Sequence, residues 1–206
     1  MSERSAPWNP SGGLMQRQEY PVIATAHLRL RPFVLSDLSA LVNSVTQYRI
    51  ADVTLAVPQP FDARQARRWI ESHARAWQDR TAAHWAIATL ENDRLAGYVG
   101  LHDISPGGGQ ADLSLWIAER LERKDLGIEA AQAALAFAFT DLQLGRVQAH
   151  QLAGNPLLAR ILRRIGMKPE AAARQLLSRW GRTDEGWVWS VDRLDWMSSL
   201  QGTAAH

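Results

Sequence analysis

The sequence contains no cysteine among its 206 residues. This absence excludes disulfides, a thiolate nucleophile, iron–sulfur clusters and cysteine-ligated zinc. The histidines form no metal-binding motif either, because His84, His102 and His150 are widely dispersed and no His-x-x-x-His spacing occurs. We therefore expect no metal ion, and any chemistry must use other groups.

Long apolar runs are also missing from the chain. No stretch approaches the roughly 20 residues that a bilayer span needs. The first thirteen residues contain proline, glycine and serine instead of the basic start and apolar run of a secretory signal. The excess of basic over acidic residues, 23 to 21, is too small for a nucleic-acid footprint. We expect a cytoplasmic protein with neither a membrane nor a nucleic acid as partner.

The composition that remains is that of an ordinary globular protein. Hydrophobic residues make up 46% of the chain and charged residues 21%, and the length suits one core with a tail. Residues 1–24 mix Pro, Gly, Ser and Gln, a pattern typical of a flexible leader. We predict a leader over residues 1–24, one domain over 25–198 and a tail over 199–206.

Local patterns predict strands that alternate with helices. Residues 27–31 alternate polar and apolar side chains and stop at Pro32, as a half-buried strand does. The other predicted strands are 84–90, 95–103, 111–118, 146–152, 173–180 and 187–191, the last two joined by a turn at 181–186. Predicted helices begin at Ser36, at Asp62, near Gly127 and at Asn155. This order indicates an α+β or α/β domain with one mixed sheet.

Four segments together carry a resemblance to a known family. They are Leu28-Arg29-Leu30-Arg31-Pro32, the strand Ala111 to Ala118 (ADLSLWIA), Leu144 to His150 (LGRVQAH), and Asn155 through Met167. In order and spacing they resemble the GNAT superfamily of acetyl-coenzyme-A-dependent N-acetyltransferases, most closely its ribosomal-protein N-terminal (alanine/serine) branch. The resemblance covers residues 27–196. It implies an α+β (α/β-like) GNAT fold, with a single mixed, mostly antiparallel sheet of about seven strands and four helices.

The resemblance also implies a cosubstrate, acetyl-CoA. In that family the strands corresponding to 111–118 and 146–152 splay apart, and the pantetheine arm of the cosubstrate lies between them. The implied cofactor-binding residues are Trp116, Ile117, Ala118, Arg123, Lys124, Asp125, Leu126, Gly127, Ile128 and Asn155. Asn155 has a second explanation, because asparagine before a proline is also a preferred helix N-cap.

The pyrophosphate loop departs from the family pattern at one position. Asp125 stands where the family has the first glycine of a turn that aims backbone N–H groups at a phosphate. Its carboxylate and that of Glu122 repel a polyanion, whereas Arg123 and Lys124 attract one, and aspartate tolerates a left-handed backbone. The sequence leaves two readings open: a loop that binds acetyl-CoA, and a charged helix-capping loop that has lost it.

The implied reaction needs a base to deprotonate the acceptor amine. Asp112, where related enzymes often have glutamate, is the candidate base; the alternative is a surface carboxylate on an alternating strand. Many relatives have a tyrosine as general acid at the position of Leu162, which cannot transfer a proton, so Ser178 is the candidate substitute. Arg160, Arg163 and Arg164, on the helix after Asn155, could reach the ribose phosphate of coenzyme A. The alternative is that they only solubilise an exposed helix face.

Two functions remain open from the sequence. The first is transfer of acetyl from acetyl-CoA, by direct attack, to a primary amine of a protein N-terminus or a small molecule. The alternative is a noncatalytic GNAT-like binding module whose acetyl-CoA site is weakened or lost. The tryptophan-rich C-terminal hairpin either borders the acceptor site or forms the contact of a homodimer.

Overall fold

The computed structural model describes residues 19–47, 61–107, 109–118, 125–170, 175–179 and 182–203. Within these ranges nine strands form one sheet in the order β1-β2-β3-β4-β5-β6-β9-β7, with β8 also paired to β9. The strands are β1 (Ile23–Ala24), β2 (Leu28–Arg31), β3 (Ala83–Thr89), β4 (Leu95–His102), β5 (Gln110–Ile117), β6 (Arg146–Leu152), β7 (Lys168–Pro169), β8 (Gln175–Arg179) and β9 (Arg182–Asp192). The α-helices are α1 (Leu38–Gln47), α2 (Ala63–Gln78), α3 (Leu126–Thr140), α4 (Pro156–Arg164) and α5 (Arg193–Thr203).

The expected α+β fold with one mixed, mostly antiparallel sheet is confirmed. Only β5 and β6 pair in parallel; every other pairing among the described strands is antiparallel. Three details differ from the prediction. The described residues form five α-helices where four were expected, because the sequence of α5, RLDWMSSLQGT, has no clear apolar periodicity. β1 and β7 have two residues each, too few for an alternating pattern to reveal them. The predicted turn at 181–186 is wrong, because β9 already begins at Arg182 and runs for 11 residues.

The sheet separates two hydrophobic cores. On one face, α3 and α4 bury what we call the α3 core. It includes Leu28, Leu30, Trp85, Val99, Leu113, Leu115, Leu135, Phe139 and Ile161. On the other face, α1 and α2 bury the α2 core, which comprises Phe33, Leu41, Val45, Phe61, Ala66, Trp69, Ile70, Ala86, Leu95, Tyr98 and Trp116. Because successive strand residues point to opposite faces, each central strand contributes to both cores.

Helix ends follow their local chemistry. The Asp62 side chain accepts a hydrogen bond from the backbone N–H of Gln65 and caps α2. Pro156 occupies the first turn of α4, where its missing N–H costs nothing. Gly166, with φ +88°, follows α4 in the left-handed conformation that ends many helices. None of the described helices combines the length and apolarity that crossing a membrane requires.

The edge of β3 beyond the end of β2 is closed by a side chain. The Tyr20 hydroxyl donates to the carbonyl of His84 at 2.8 Å and accepts from the N–H of the same residue at 2.5 Å. Burial raises the pKa of Tyr20 above its ordinary value. The Trp85 indole N–H donates to the carbonyl of Pro21 at 2.8 Å. Residues 20 and 21 therefore satisfy polar groups that a neighbouring strand would otherwise pair.

A buried ion pair ties β2 to the turn before α1. The Arg31 guanidinium binds both carboxylate oxygens of Asp37, at 2.7 and 3.0 Å, and the two side chains are 11% and 7% exposed. Asp37 also accepts the N–H of Val34. On its outer side Arg31 contacts Asp93, which is half-exposed. The hydrogen bonds that Arg31 donates to Asp37 raise the pKa of Arg31 despite its burial.

We predict that Arg31→Met destabilises the protein by about 3–5 kcal/mol, because it leaves the carboxylate of Asp37 buried without a cation. Denaturant unfolding followed by circular dichroism measures this loss. The control Asp93→Asn removes only the exposed partner and should cost less than about 1 kcal/mol. Equal losses in the two variants would contradict the assignment.

His73 of α2 is a buried histidine. Only 4% of it is exposed, and neither ring nitrogen has a hydrogen-bond partner among the described residues. The ring packs between those of Trp69 and His84, with centroids at 4.3 and 4.2 Å. Burial lowers the pKa of His73 to about 3, so the folded protein keeps the ring neutral.

This burial predicts a pH-dependent stability. Between pH 6.5, where an unfolded histidine titrates, and about 3, the unfolded chain binds the additional proton, so stability is lost as the pH falls through this window. Because of His73, the free energy of unfolding should fall by about 1–2 kcal/mol between pH 7 and pH 5. Urea unfolding of His73→Phe at both pH values should give a flatter dependence than the parent. Gln78→Ala, at an exposed uncharged residue of the same helix, should keep the parent's slope.

Candidate functional site

The sheet opens between its two parallel strands. β5 and β6 pair from Gln110–Arg146 to Leu113–Ala149 and no further, although both strands continue. The N–H of Ala118 donates to Ala96 on the β4 side, and peptide groups alternate in direction along a strand. Leu115 and Ile117 therefore turn their N–H and C=O groups towards the gap. Three residues of this segment, Trp116, Ile117 and Ala118, are expected to bind the cosubstrate. Of these, Ile117 is the one whose peptide groups face the gap.

A pocket lies where the gap meets the N-terminus of α3. Its lining comes from β5, α3 and α4 and consists of Ile117, Asp125, Gly127, Ile128, Leu157, Arg160 and Ile161. Gly127 is required for this arrangement, since a Cβ there would lie 2.9 Å from Ile161 and 3.1 Å from Ile117. The start of α3, the end of β5 and α4 therefore pack closely against one another at the pocket.

Asp125 keeps the backbone shape of the glycine that it replaces. Its φ of 52° and ψ of 16° are left-handed, and its side chain caps no N–H of α3. The carboxylate instead forms an ion pair with Arg160 of α4, and both side chains are about half-exposed. The pair neutralises the charge that a polyanion at the pocket would meet. The predicted phosphate-binding residues Arg123 and Lys124, and Glu122 with them, lie outside the described residues.

Asn155 caps α4. Its side-chain oxygen accepts the N–H of Leu158 at 3.0 Å, and its backbone carbonyl accepts from the Gln151 side chain at 3.2 Å. The helix-cap interpretation of this residue is therefore confirmed. Its predicted contact with a cosubstrate stays a prediction.

Asp112 lies on the face of β5 that also carries Ser114 and Trp116. Its side chain is 13% exposed, and one carboxylate oxygen is 3.7 Å from Nδ1 of His150. His102 is its cross-strand partner on β4. Ligand atoms of His102, Asp103 and Asp112 all lie within 4.8 Å of one another. Asp112 is therefore a shielded carboxylate among imidazoles and not an isolated surface charge.

The family's general-acid position is occupied by Leu162, and Ser178 is the candidate substitute. Leu162 is fully buried in the α3 core. Ser178 lies on β8 opposite Thr183, whereas Asp112 is level with Gln148 and so with Ser190, seven positions further along β9. At about 3.3 Å per position this is roughly 23 Å along the strand direction. The role of Ser178 stays a prediction.

Trp116 joins the gap to the α2 core. Its ring is 6% exposed and stacks near that of Tyr98 with centroids 6.5 Å apart. Its indole N–H has no partner among the residues described. Two uncharged aromatic rings, those of Trp116 and Tyr98, therefore lie beside the part of the gap beyond Leu113.

Sequence reasoning missed the grouping of His102 with Asp103, Asp112 and Ser114. His102 counted as one of three dispersed histidines, because distance along the sequence ignores pairing across a hairpin. The signal was present: a register of His102 opposite Asp112 follows once the turn between the two strands is fixed. The pairing of Asp125 with Arg160 had no such local signal, since 35 residues separate them.

Comparison with known proteins agrees with this geometry. The sequence profile of the acetyltransferase (GNAT) domain matches residues 27–168. The chain is 23% identical over 177 residues to the uncharacterized N-acetyltransferase YoaA of Bacillus subtilis (strain 168), across 84% of this chain and 97% of that protein.

Solved structures share the fold. The spermidine N-acetyltransferase from Vibrio cholerae, in complex with CoA and spermine, has a TM-score of 0.69 at 18% identity over 84% of this chain and 99% of that one. The ribosomal L7/L12 alpha-N-protein acetyltransferase RimL, in complex with coenzyme A, has a TM-score of 0.72 at 17% identity over 84% and 98%.

The matched region spans more than half of the chain and includes both strands that border the gap, the start of α3 and all of α4. This chain belongs to the GNAT acetyltransferase family.

Proposed function

We propose that the protein is an N-acetyltransferase that transfers acetyl from acetyl-CoA to a primary amine by direct attack. The observation that carries the proposal is the state of Asp125. Its backbone has the left-handed shape of the missing glycine, and Arg160 pairs with its carboxylate. The one departure from the family pattern that argued against cosubstrate binding is therefore compensated within the same pocket.

The binding surface matches a coenzyme A thioester in three parts. The first N–H groups of α3 and the guanidinium of Arg160 suit the pyrophosphate, because a helix N-terminus and a cation both favour an anion. The peptide groups of Leu115 and Ile117 suit the amides of pantetheine, which need the same hydrogen bonds as a strand. The thioester then lies near Ser114, at the closed end of the gap where the β5–β6 pairing stops.

Asp112 is the proposed base. An acceptor amine arrives as an ammonium ion and must lose a proton before its nitrogen can attack the thioester carbonyl. Asp112 takes that proton directly or through a water, and the nearby His150 imidazole can pass it to solvent. The C–N bond forms as the C–S bond breaks, and the thiolate leaves and takes a proton from water, because Ser178 lies roughly 23 Å from Asp112 along the strand direction.

The acceptor belongs to one of two classes. RimL is named for action on a protein N-terminus and the Vibrio enzyme for action on spermidine, and either acceptor presents a primary amine. A panel of both, assayed by the release of free thiol from acetyl-CoA above the rate without amine, assigns the class. We expect the protein in the cytoplasm. Analytical ultracentrifugation would show whether it forms the homodimer.

We predict that isothermal titration detects acetyl-CoA binding and that Arg160→Gln weakens it by about 5- to 100-fold. The variant removes a cation from the pocket and also frees the Asp125 carboxylate to repel the phosphates. Asp125→Asn keeps a residue that tolerates the left-handed backbone and removes the charge, so it should bind as tightly as the parent or more tightly.

Arg164→Gln is the matched control, because Arg164 lies on the same helix but does not line the pocket. It should leave affinity nearly unchanged. Absence of binding to the parent and to Asp125→Asn at millimolar ligand would sink the enzyme proposal and favour a noncatalytic module.

We predict that Asp112→Asn lowers kcat for amine acetylation about 100-fold or more, since a positioned base typically contributes that much. Its affinity for acetyl-CoA should stay close to that of the parent, because Asp112 lies away from the pocket at α3. Steady-state kinetics and titration on the same preparation separate the two effects. Asp195→Asn, at an exposed carboxylate on α5, is the control, and full activity of Asp112→Asn would assign the base elsewhere.

A further inference from the structure

The side chains of Ser114, His102 and Asp103 form one hydrogen-bonded line beside the closed end of the gap, where the β5–β6 pairing stops. The Ser114 hydroxyl lies 2.5 Å from Nε2 of His102. The other ring nitrogen, Nδ1, lies 3.1 Å from a carboxylate oxygen of Asp103. Serine, imidazole and carboxylate thus connect through both nitrogens of one ring, the arrangement that activates a serine hydroxyl for attack on an acyl group.

We propose that Ser114 is a nucleophile that accepts an acyl group from a thioester when no amine is bound, which makes the protein an acyl-CoA hydrolase as well. The inference rests on the proposed function only for the identity of the thioester. The hydrolysis is a second activity on the same strand, with its own nucleophile and base.

Packing fixes the ring of His102, whereas the hydroxyl of Ser114 is accessible. His102 is 5% exposed, which fixes the ring by packing, whereas Ser114 is half-buried. Asp103 has a left-handed backbone with φ 53° and folds its carboxylate back onto the ring of its neighbour. A non-glycine residue in this conformation carries a conformational cost. The contact with His102 accounts for where that carboxylate is directed.

Ser114 occupies the first position beyond the last paired residue of β5. The β5–β6 ladder ends at Leu113, so an acyl group in the gap reaches Ser114 before any other hydroxyl on that strand. Leu115, the next residue, turns its N–H towards the gap. A backbone N–H directly after the nucleophile is a recurrent donor to the oxyanion of acyl transfer.

The reaction balances with acetyl-CoA and water alone. An Oγ–C bond forms as the C–S bond breaks, and the hydroxyl proton passes to His102 and from there to the departing thiolate. Water then attacks the ester, His102 again accepts and returns a proton, and acetate leaves Ser114 restored. The carboxylates of Asp103 and Asp112 stabilise the imidazolium that forms in each half.

The same side chains could instead attract a divalent metal, because His102, Asp103 and Asp112 offer ligand atoms within 4.8 Å. Both nitrogens of His102 are already in the serine and aspartate contacts. A metal bound by this ring would have to displace one of them. The geometry therefore favours the nucleophile, and the metal is an outcome that the experiment must separate.

The test incubates the full chain with acetyl-CoA in the absence of amine, with EDTA present. Peptide mass mapping should find an acetyl group on Ser114 that hydroxylamine removes. Free-thiol release should fall about 100-fold in Ser114→Ala and in His102→Gln. It should fall less in Asp103→Asn, whose exposed carboxylate only orients the ring. Ser39→Ala, at an exposed serine of α1, is the control.

A second acyl donor, p-nitrophenyl acetate, separates this inference from the proposed function, because it needs no coenzyme A site. A p-nitrophenol burst that Ser114→Ala abolishes supports the inference even where titration finds no acetyl-CoA binding. Acetyl-CoA binding and amine acetylation without an ester on Ser114 from either donor would overturn it alone. Hydrolysis that disappears with EDTA and returns with zinc would also overturn it, in favour of a metal site.

Discussion

Hydrogen bonding of peptide groups in the interior of a sheet is the constraint on which this site depends. Parallel strands β5 and β6 satisfy one another as far as Leu113 and Ala149, and then separate. Beyond that point no described strand pairs with the facing edges of β5 and β6, and an unpaired peptide group inside a protein is costly. A ligand with amides spaced along an extended chain would restore hydrogen bonds there. The opening in the sheet is therefore a gap in the pairing that suits such a ligand.

The alternation of side chains across the sheet keeps two kinds of chemistry apart. On β5, Leu113, Leu115 and Ile117 pack under α3 and α4 and hold the strand in place. Asp112 and Ser114, which alternate with them along the strand, face the opposite side with His102 of β4. Because the polar residues share a strand with well-packed apolar ones, the core restricts the positions that the polar side chains can take. A loop would hold the same groups less firmly.

Sequence reasoning recovers what is encoded locally. The cap at Asp62, the proline start of α4 and the alternating strands follow from neighbours a few residues apart, and the family resemblance supplies the gap. The pairing of Arg160 with Asp125 and the grouping around His102 depend on elements that meet only in the folded sheet. The two-residue strands β1 and β7 and the length of β9 also have no local signature. They are defined by the pairing of β1 with β2, of β7 with β9, and of β9 with β6 and β8.

The hydroxyl of Tyr20 on the backbone of His84 has a consequence for self-association. An open strand edge is a template on which another molecule can add a strand and begin an aggregate. Here a phenol takes both the donor and the acceptor of that edge, and it offers no further backbone to an incoming chain. Tyr20, just before the first strand, thus prevents another strand from pairing with β3 at His84. Cleavage of the chain between Tyr20 and Ile23 would free these backbone groups of β3 to pair with another molecule.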